Sequence, residues 1–539
     1  MSSQQVAGAD RWLWSTRFCV VLAVVLVALF YGPTLGFELV WDDNIWLNEF
    51  RRHDLATLLR NNLTGTTLVS YYRPLVAAVL SLQLAISQQP AFLHALNIAL
   101  HACNLLLVVA IARRHASARP AYLLPLAIAV LAIHPMLVEP VAWVSGRFDL
   151  FYTGFLLLAL LSALTISAPP RRFIAVTLAF FAALCCKESA LAYLAVGPVI
   201  LAGTLRPSDK DPAPVVTRLV LWHGAALLLG AALYLGLRIG WLDLHLIKDS
   251  AFQVQAISAD SGRVLRVLRT LGTYAQMTLL PLWNLAPLHE IATDPRALHG
   301  YAALGGAACV LAVAGLRWGA LLPCTIWILA LAPAANLLPL RLDLVQNRYL
   351  YLPLFAVAVT ALLRPYHPPV GVRTRGLWWL IAALYLATLA ATNVSITHLW
   401  RDGVALFSWT VAVNPGSHFA KENLALAQYA AGRFEKAIEV EMSVPKSARS
   451  FQGRLVLARA TRDRGDAAGA VGLYSDALSY PAYDDAMQAS AMYELALLWR
   501  ELGDDAASDK LVIAADTLVA RAKVSTRLQH YYHHALERR

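Results

Sequence analysis

Long apolar runs fill the first three quarters of the chain, and each stops at a short polar or basic break. The first, at about 18–37, follows Arg11 and Arg17. It is too long for the apolar region of a cleaved leader and no small-residue cleavage site comes after it, so it reads as an uncleaved span with a cytoplasmic N-terminus. Further runs lie near 93–112, 121–138, 150–168, 172–186, 189–205, 216–238, 301–316, 318–338, 347–364 and 376–396. At about 20 residues per crossing, this predicts about 11 spans. The basic breaks Arg113-Arg114-His115…Arg119, Arg171-Arg172, Arg206…Lys210…Arg218, Arg317 and Arg364…Arg373…Arg375 then share the cytoplasmic side, where Lys and Arg concentrate. That holds only if the stretches 75–86 and 264–280 do not cross. Both read as helices lying in the outer interface or re-entering the bundle.

After Trp400 the apolar blocks give way to Ala, Glu, Arg and Asp with helical periodicity. Leu424-Ala425, Leu457-Ala458 and Leu495-Ala496 each precede a glycine (Gly432, Gly465 and Gly503), and these glycines stand 33 and 38 residues apart. The pattern resembles tetratricopeptide repeats, in which small Ala lets paired helices approach and Gly turns the chain between them. An odd number of spans places this tail outside the cytoplasmic membrane. Its last segment, with His530, His533 and His534, reads as a capping helix, with no acid or thiol beside the histidines to make a metal site.

Composition agrees with burial in lipid. Of 539 residues, 58% are hydrophobic and 15% charged, against about 25% charged in a soluble protein. Mean hydropathy is +0.54. The net charge of +11 would suggest nucleic acid in a soluble chain. Here the cations sit in loops that set topology and meet anionic lipid, and no nucleic-acid partner is expected. The six cysteines lie in or beside apolar runs and read as small buried hydrophobes, with no C-x-x-C pair. Nucleotide phosphate loops, H-E-x-x-H and G-x-S-x-G are all absent.

Candidate chemistry gathers on the outer side. The first outer loop opens Trp41-Asp42-Asp43-Asn44-Ile45-Trp46. The tryptophans read as interface anchors. The carboxylates either cap an interfacial helix or act as a general base at the membrane surface. The second outer loop carries His134, Glu139, Arg147 and Asp149. Ionisable groups at that depth need partners. Either Arg147 pairs with Glu139 or Asp149, or it holds a phosphate or carboxylate. His94, Asn97, His101 and Asn104 share one helix face and bond either to neighbouring helices or to a substrate. Tyr71-Tyr72-Arg73-Pro74, Lys187-Glu188 and Arg341…Gln346-Asn347-Arg348-Tyr349 add outer clusters. Arg263, Arg266 and Arg269 recur every three residues, suited either to lipid headgroups or to the phosphate of a lipid-linked donor.

These blocks, taken in order, resemble the transmembrane and tetratricopeptide-repeat O-mannosyltransferases and their bacterial relatives in the GT-C superfamily. The likeness runs through Asp42-Asp43, Tyr72-Arg73-Pro74-Leu75, His94-Ala95-Leu96-Asn97, His134-Pro135…Glu139…Gly146-Arg147…Asp149, Lys187-Glu188 and Arg348-Tyr349-Leu350-Tyr351. The resemblance implies an all-α polytopic helix bundle over 1–400, with a tetratricopeptide-like domain over 401–539 on the periplasmic side of a bacterial inner membrane. It implies an inverting transferase that takes a sugar from polyprenyl phosphate and passes it to an acceptor hydroxyl, on a protein that the repeats could hold. Asp42 or Asp43 would be the base. Arg73, Arg147 and Arg348 would meet the donor phosphate, within a wider donor site of His94, His134, Glu139, Asp149, Lys187, Glu188, Arg266, Arg269 and Tyr349. No cofactor is required on this view, although Asp42, Asp43, Glu139 and Asp149 are a ligand set that magnesium or manganese would suit. Departures are a short repeat array and an unassigned sugar. A membrane-anchored scaffold and a lipid-linked oligosaccharide ligase are the alternatives.

Overall fold

The computed structural model describes residues 3–537 except 53, 65–71, 114–121, 206–212, 243–262, 284, 291–294, 336–343, 365–374, 483–484 and 522–525. Tyr71, Arg114, His115, Arg119, Arg206, Lys210, Arg341 and Arg373 therefore lie outside the described residues. The chain divides into two compact units. The first holds the apolar runs up to Trp400. The second holds the tail from Arg401 together with 38–61 of the first outer loop, which the sequence pattern assigns to the transmembrane part.

Among the described residues of the first unit, six helices are long and apolar enough to cross a membrane: Thr16–Gly36, Pro90–Ala112, Val144–Thr165, Ala213–Gly240, His299–Arg317 and Gly376–Leu399. A seventh arises if Leu123–Ile133 and Pro135–Ala142, bent by 54° at His134, form one span. The bend has a local cause. Pro135 pushes His134 out of the helical region to ψ 124°, and the His134 ring accepts the Met136 amide. The first unit is thus a multi-pass membrane bundle. The other expected spans are helical but shorter, including Pro169–Leu184, Glu188–Thr204, Gly319–Ala334 and Asn347–Leu363.

Close packing comes from small residues. Gly272 of Arg263–Leu279 lies on the Tyr301 carbonyl, and Gly305 of Pro295–Arg317 lies on the Leu268 carbonyl, with no room for a Cβ at either. Pro169–Leu184 runs parallel to Ala213–Leu235: Phe173 meets Trp222 with ring centroids 5.7 Å apart, and Thr177 donates to the Ala226 carbonyl at 3.1 Å. A short antiparallel ladder, Leu288–Glu290 with Leu344–Gln346, interrupts the otherwise helical architecture just before Arg348. Three of the expected buried cysteines are buried (Cys19, Cys185 and Cys186), but Cys103 is exposed, and Cys309 and Cys324 are half-buried. On apolar spans such positions face lipid, so helical burial against protein was not needed.

The second unit is a run of helix pairs. His418–Ala430 and Phe434–Met442 turn at Gly432, Phe451–Asp463 and Ala467–Leu478 at Gly465, and Asp485–Glu501 and Asp505–Arg521 at Gly503. All three glycines have positive φ (71°, 103° and 85°), which a side chain would strain. Ala425, Ala458 and Ala496 are fully buried, and Ser417, Ser450 and Asp466 cap helix starts with side-chain bonds to backbone amides. Thr526–Glu537 closes the array, stacking Tyr532 on Tyr493 at 4.9 Å. An acid does accompany its histidines, since His533 Nε2 meets the Asp516 carboxylate at 3.0 Å. That partner comes from the preceding helix, which sequence adjacency does not show.

Glu441 lies inside this unit, fully buried, and neither carboxylate oxygen has a hydrogen bond among the described residues. The Glu422 carboxylate crowds the same side of Gly453. Burial first, and Glu422 second, push the Glu441 carboxyl up to about 7, against the weaker pull of Arg449 and Arg454. The folded state therefore binds this proton more tightly than the unfolded chain. The stabilisation is complete below the unfolded value of 4.5 and is lost as pH rises through about 7. Stability of the second unit, followed by thermal melting of the full chain, is expected to fall by on the order of 2–3 kcal/mol between pH 5 and pH 8. Glu441→Gln is expected to flatten that dependence.

Candidate functional site

Every residue from 131 to 150 is buried. The segment expected as a loop is instead a set of short helical turns, Pro135–Leu137, Val138–Ala142 and Val144–Gly146, leading directly into Arg147–Thr165. Charges in such a place must be matched by partners. Glu139 takes the Arg348 guanidinium at 2.6 Å and its backbone amide at 3.3 Å. Asp149 takes the Lys187 amine on both oxygens, at 2.6 and 2.8 Å. Glu188 takes Arg73 at 3.0 Å and Arg238 at 2.8 Å. Burial pulls the Lys187 amine down to about 8, opposed by the Asp149 charge.

Aromatic rings join these pairs. Tyr349 lies under both Lys187 (4.7 Å) and Arg348 (5.5 Å), Trp143 lies under Arg348 (5.0 Å), and Phe148 lies under Arg73 (5.2 Å). The assembled cluster holds four cations (Arg73, Lys187, Arg238 and Arg348) and three acids (Glu139, Asp149 and Glu188) among the described residues. Arg238 is absent from the sequence-derived candidates, because it falls at the end of a span. It sits in a widened turn, Gly236–Trp241, and also donates to Tyr234, whose hydroxyl bonds the Tyr72 carbonyl. An arginine at the end of an apolar run was the available signal.

Arg147 has a different environment. It is fully buried and donates to Asn97 Oδ1 (3.1 Å), the Val144 carbonyl (2.9 Å), Gln83 Oε1 (2.6 Å) and the Leu93 carbonyl (2.9 Å). Among the described residues Glu139 pairs with Arg348 and Asp149 with Lys187. These bonds make Arg147 a rivet between the turns and the Pro90–Ala112 helix. The polar face of that helix bonds neighbouring elements: Asn97 donates to the Trp143 carbonyl at 2.6 Å, His101 bonds the Tyr351 hydroxyl at 2.8 Å, and Asn104 donates to the Leu150 carbonyl at 2.9 Å. His94 is buried on the same face. His134 Nε2 bonds the Thr278 carbonyl at 3.1 Å. Arg266 and Arg269 are half-buried on the Arg263–Leu279 helix.

The first-loop acids belong to the second unit. Asp43 is buried at the start of the Asp43–Arg52 helix, and its carboxylate accepts the Val40 amide at 3.3 Å. Asp42 is half-exposed. Trp41 sets its ring edge-on to Phe407 (6.0 Å) and Phe419 (6.4 Å). Its backbone is left-handed at φ 53°, a conformation that costs a bulky residue about 1–3 kcal/mol.

No family model, no curated protein and no solved structure matches the chain. Among the described residues no group of three or more His, Cys, Asp or Glu side chains converges as a metal site. The proposed cation ligands Glu139 and Asp149 are each engaged by a basic side chain.

Removing Arg147 orphans buried acceptors on four groups. Arg147→Met is expected to destabilise the bundle by about 3–5 kcal/mol, read as loss of monodisperse protein in detergent. Selective loss of activity in a normally folded variant would instead mark a ligand-binding arginine.

Proposed function

We propose that the chain is a GT-C-type glycosyltransferase that moves a sugar from a polyprenyl-phosphate donor to an acceptor hydroxyl. The observation that carries this is the buried cluster of four cations and three acids. Cations held in a low-dielectric bundle beside aromatic faces can take an anion, and the phosphodiester of a lipid-linked sugar suits a site reached from the membrane. A scaffold's anchor has no use for such a cluster. Cations already meet the phosphate on this proposal, so no metal is assigned to it.

The reaction class comes from the resemblance. A carboxylate removes the acceptor hydroxyl proton, the new C–O bond forms at the anomeric carbon, and the bond to the phosphate oxygen breaks with inversion. Polyprenyl phosphate leaves as an anion and needs no protonation. Of the two acids, Asp42 is assigned the base, because Asp43 is buried and holds the Val40 amide. Asp42→Asn is expected to lower transfer about 10²–10⁴-fold, measured with labelled lipid-phosphate sugar in proteoliposomes. Asp43→Asn is expected to lower it less and to weaken the loop. Full activity in both variants and in the double variant would refute the catalytic role.

The count of about 11 crossings is also proposed, with the shorter helices spanning in part through protein. Support comes from contacts at the two ends. Arg364 donates to the Gly203 carbonyl at 3.2 Å at one end, while Glu188 meets Arg73 and Arg238 at the other. The parallel course of Pro169–Leu184 and Ala213–Leu235 fits an intervening Tyr193–Thr204 helix that returns. An odd count puts the tail on the periplasmic side, where its helix pairs, taken as tetratricopeptide-like, would hold an acceptor polypeptide. Ser475 is exposed. A cysteine placed there in a cysteine-free background is expected to react with an impermeant thiol reagent on intact spheroplasts. Labelling only after lysis would put the tail in the cytoplasm.

A further inference from the structure

Trp41 directly precedes the acidic pair and is the one non-glycine residue with positive φ among the described residues. A side chain of this size stays in the left-handed region only where its surroundings hold it there. Those surroundings are specific. Phe407, buried in Gly403–Val413, meets the indole edge-on at 85°. Phe419, in the first turn of His418–Ala430, meets it at 61°. The Glu38 amide donates to the Arg401 carbonyl at 3.0 Å, tying the start of the loop to the start of the tail.

The turn at Trp41 organises the next four residues. Its carbonyl accepts the Asn44 amide at 3.3 Å, the Asp42 carbonyl accepts Ile45 at 3.0 Å, and the Asp43 amide donates back to Val40 at 3.1 Å. Reversal at this one residue therefore fixes the start of the Asp43–Arg52 helix and the directions in which Asp42 and Asp43 leave the backbone.

We infer that Trp41 is a positioning residue for the acidic pair: Phe407 and Phe419 clamp its ring, and the clamp holds the left-handed turn that aims the two carboxylates. This rests on the base role proposed for Asp42. It extends that role to the tail, because the helices Gly403–Val413 and His418–Ala430 then act in the chemistry as well as in holding an acceptor. A ligand that shifts either helix would alter the aim of the base.

The test uses the full chain in nanodiscs, with Trp41→Ala, Trp41→Gly, Trp41→Phe and the double variant Phe407→Ala/Phe419→Ala. Two readouts are taken: hydrogen exchange at the amides of 43–45, and kcat and KM for whichever member of a farnesyl-phosphate hexose panel the parent protein turns over. Trp41→Ala and the double variant are expected to exchange at least tenfold faster at 43–45. Their kcat is expected to fall 10- to 100-fold with KM within twofold, because the donor site is untouched. Trp41→Phe is expected to recover both readouts to within threefold. Trp41→Gly relieves the backbone but lacks the ring, so it should behave as Trp41→Ala does. Unchanged exchange and kcat in Trp41→Ala, or a Trp41→Phe variant as impaired as Trp41→Ala, would overturn the inference. If the Asp42 and Asp43 variants keep full turnover, the base role falls separately, and exchange at 43–45 still decides whether the clamp exists.

Discussion

Charge inside a low-dielectric bundle must find its opposite or a ligand, and this constraint organises the first unit. From 131 to 150 no residue is exposed, yet the segment carries Glu139, Arg147 and Asp149. Each is met by an element distant in sequence: Arg348 comes from beyond the strand ladder, Lys187 from the turn between two helices, and Gln83 from the helix Pro74–Ile86. The bends and turns of this region, which begin at Pro135, let its three charges reach three different partners. Among the described residues the cluster keeps a net positive charge after the pairing, and the functional reading grows from it.

The same constraint divides the arginines into two kinds. Arg147 makes its hydrogen bonds to neutral acceptors, amide oxygens and carbonyls, so its charge is distributed and it knits helices together. Arg73, Arg238 and Arg348 share carboxylates and lie in a cluster lined by aromatic faces. A cation paired with a carboxylate can exchange that partner for an incoming anion, whereas one bound by a lattice of carbonyls is fixed in place.

Much of this was legible in the chain. The apolar runs coincide with helices, the three tail glycines stand at left-handed turns, and the buried alanines lie where the Leu-Ala pairs put them. The residues of the charge cluster, other than Arg238, were visible as ionisable groups beside apolar runs. Their pairing was not, because a partner such as Arg348 for Glu139 is set by tertiary packing over more than 200 residues, a distance at which local pattern carries no information. The packing of Trp41 was hidden for the same reason. Nothing in Trp41-Asp42-Asp43 distinguishes a tryptophan anchored in lipid headgroups from one packed on phenylalanines in the tail.

The membership of 38–61 in the second unit sets an order of events during synthesis. The acidic turn is among the first segments made, but Phe407 and Phe419 emerge about 370 residues later. At roughly 5–20 residues per second the loop waits on the order of 20–70 s for its partners. Over that interval most of the first unit is synthesised before the tail rings that pack on Trp41 exist. The acidic turn is thus made early but is held in place only once the tail has been synthesised.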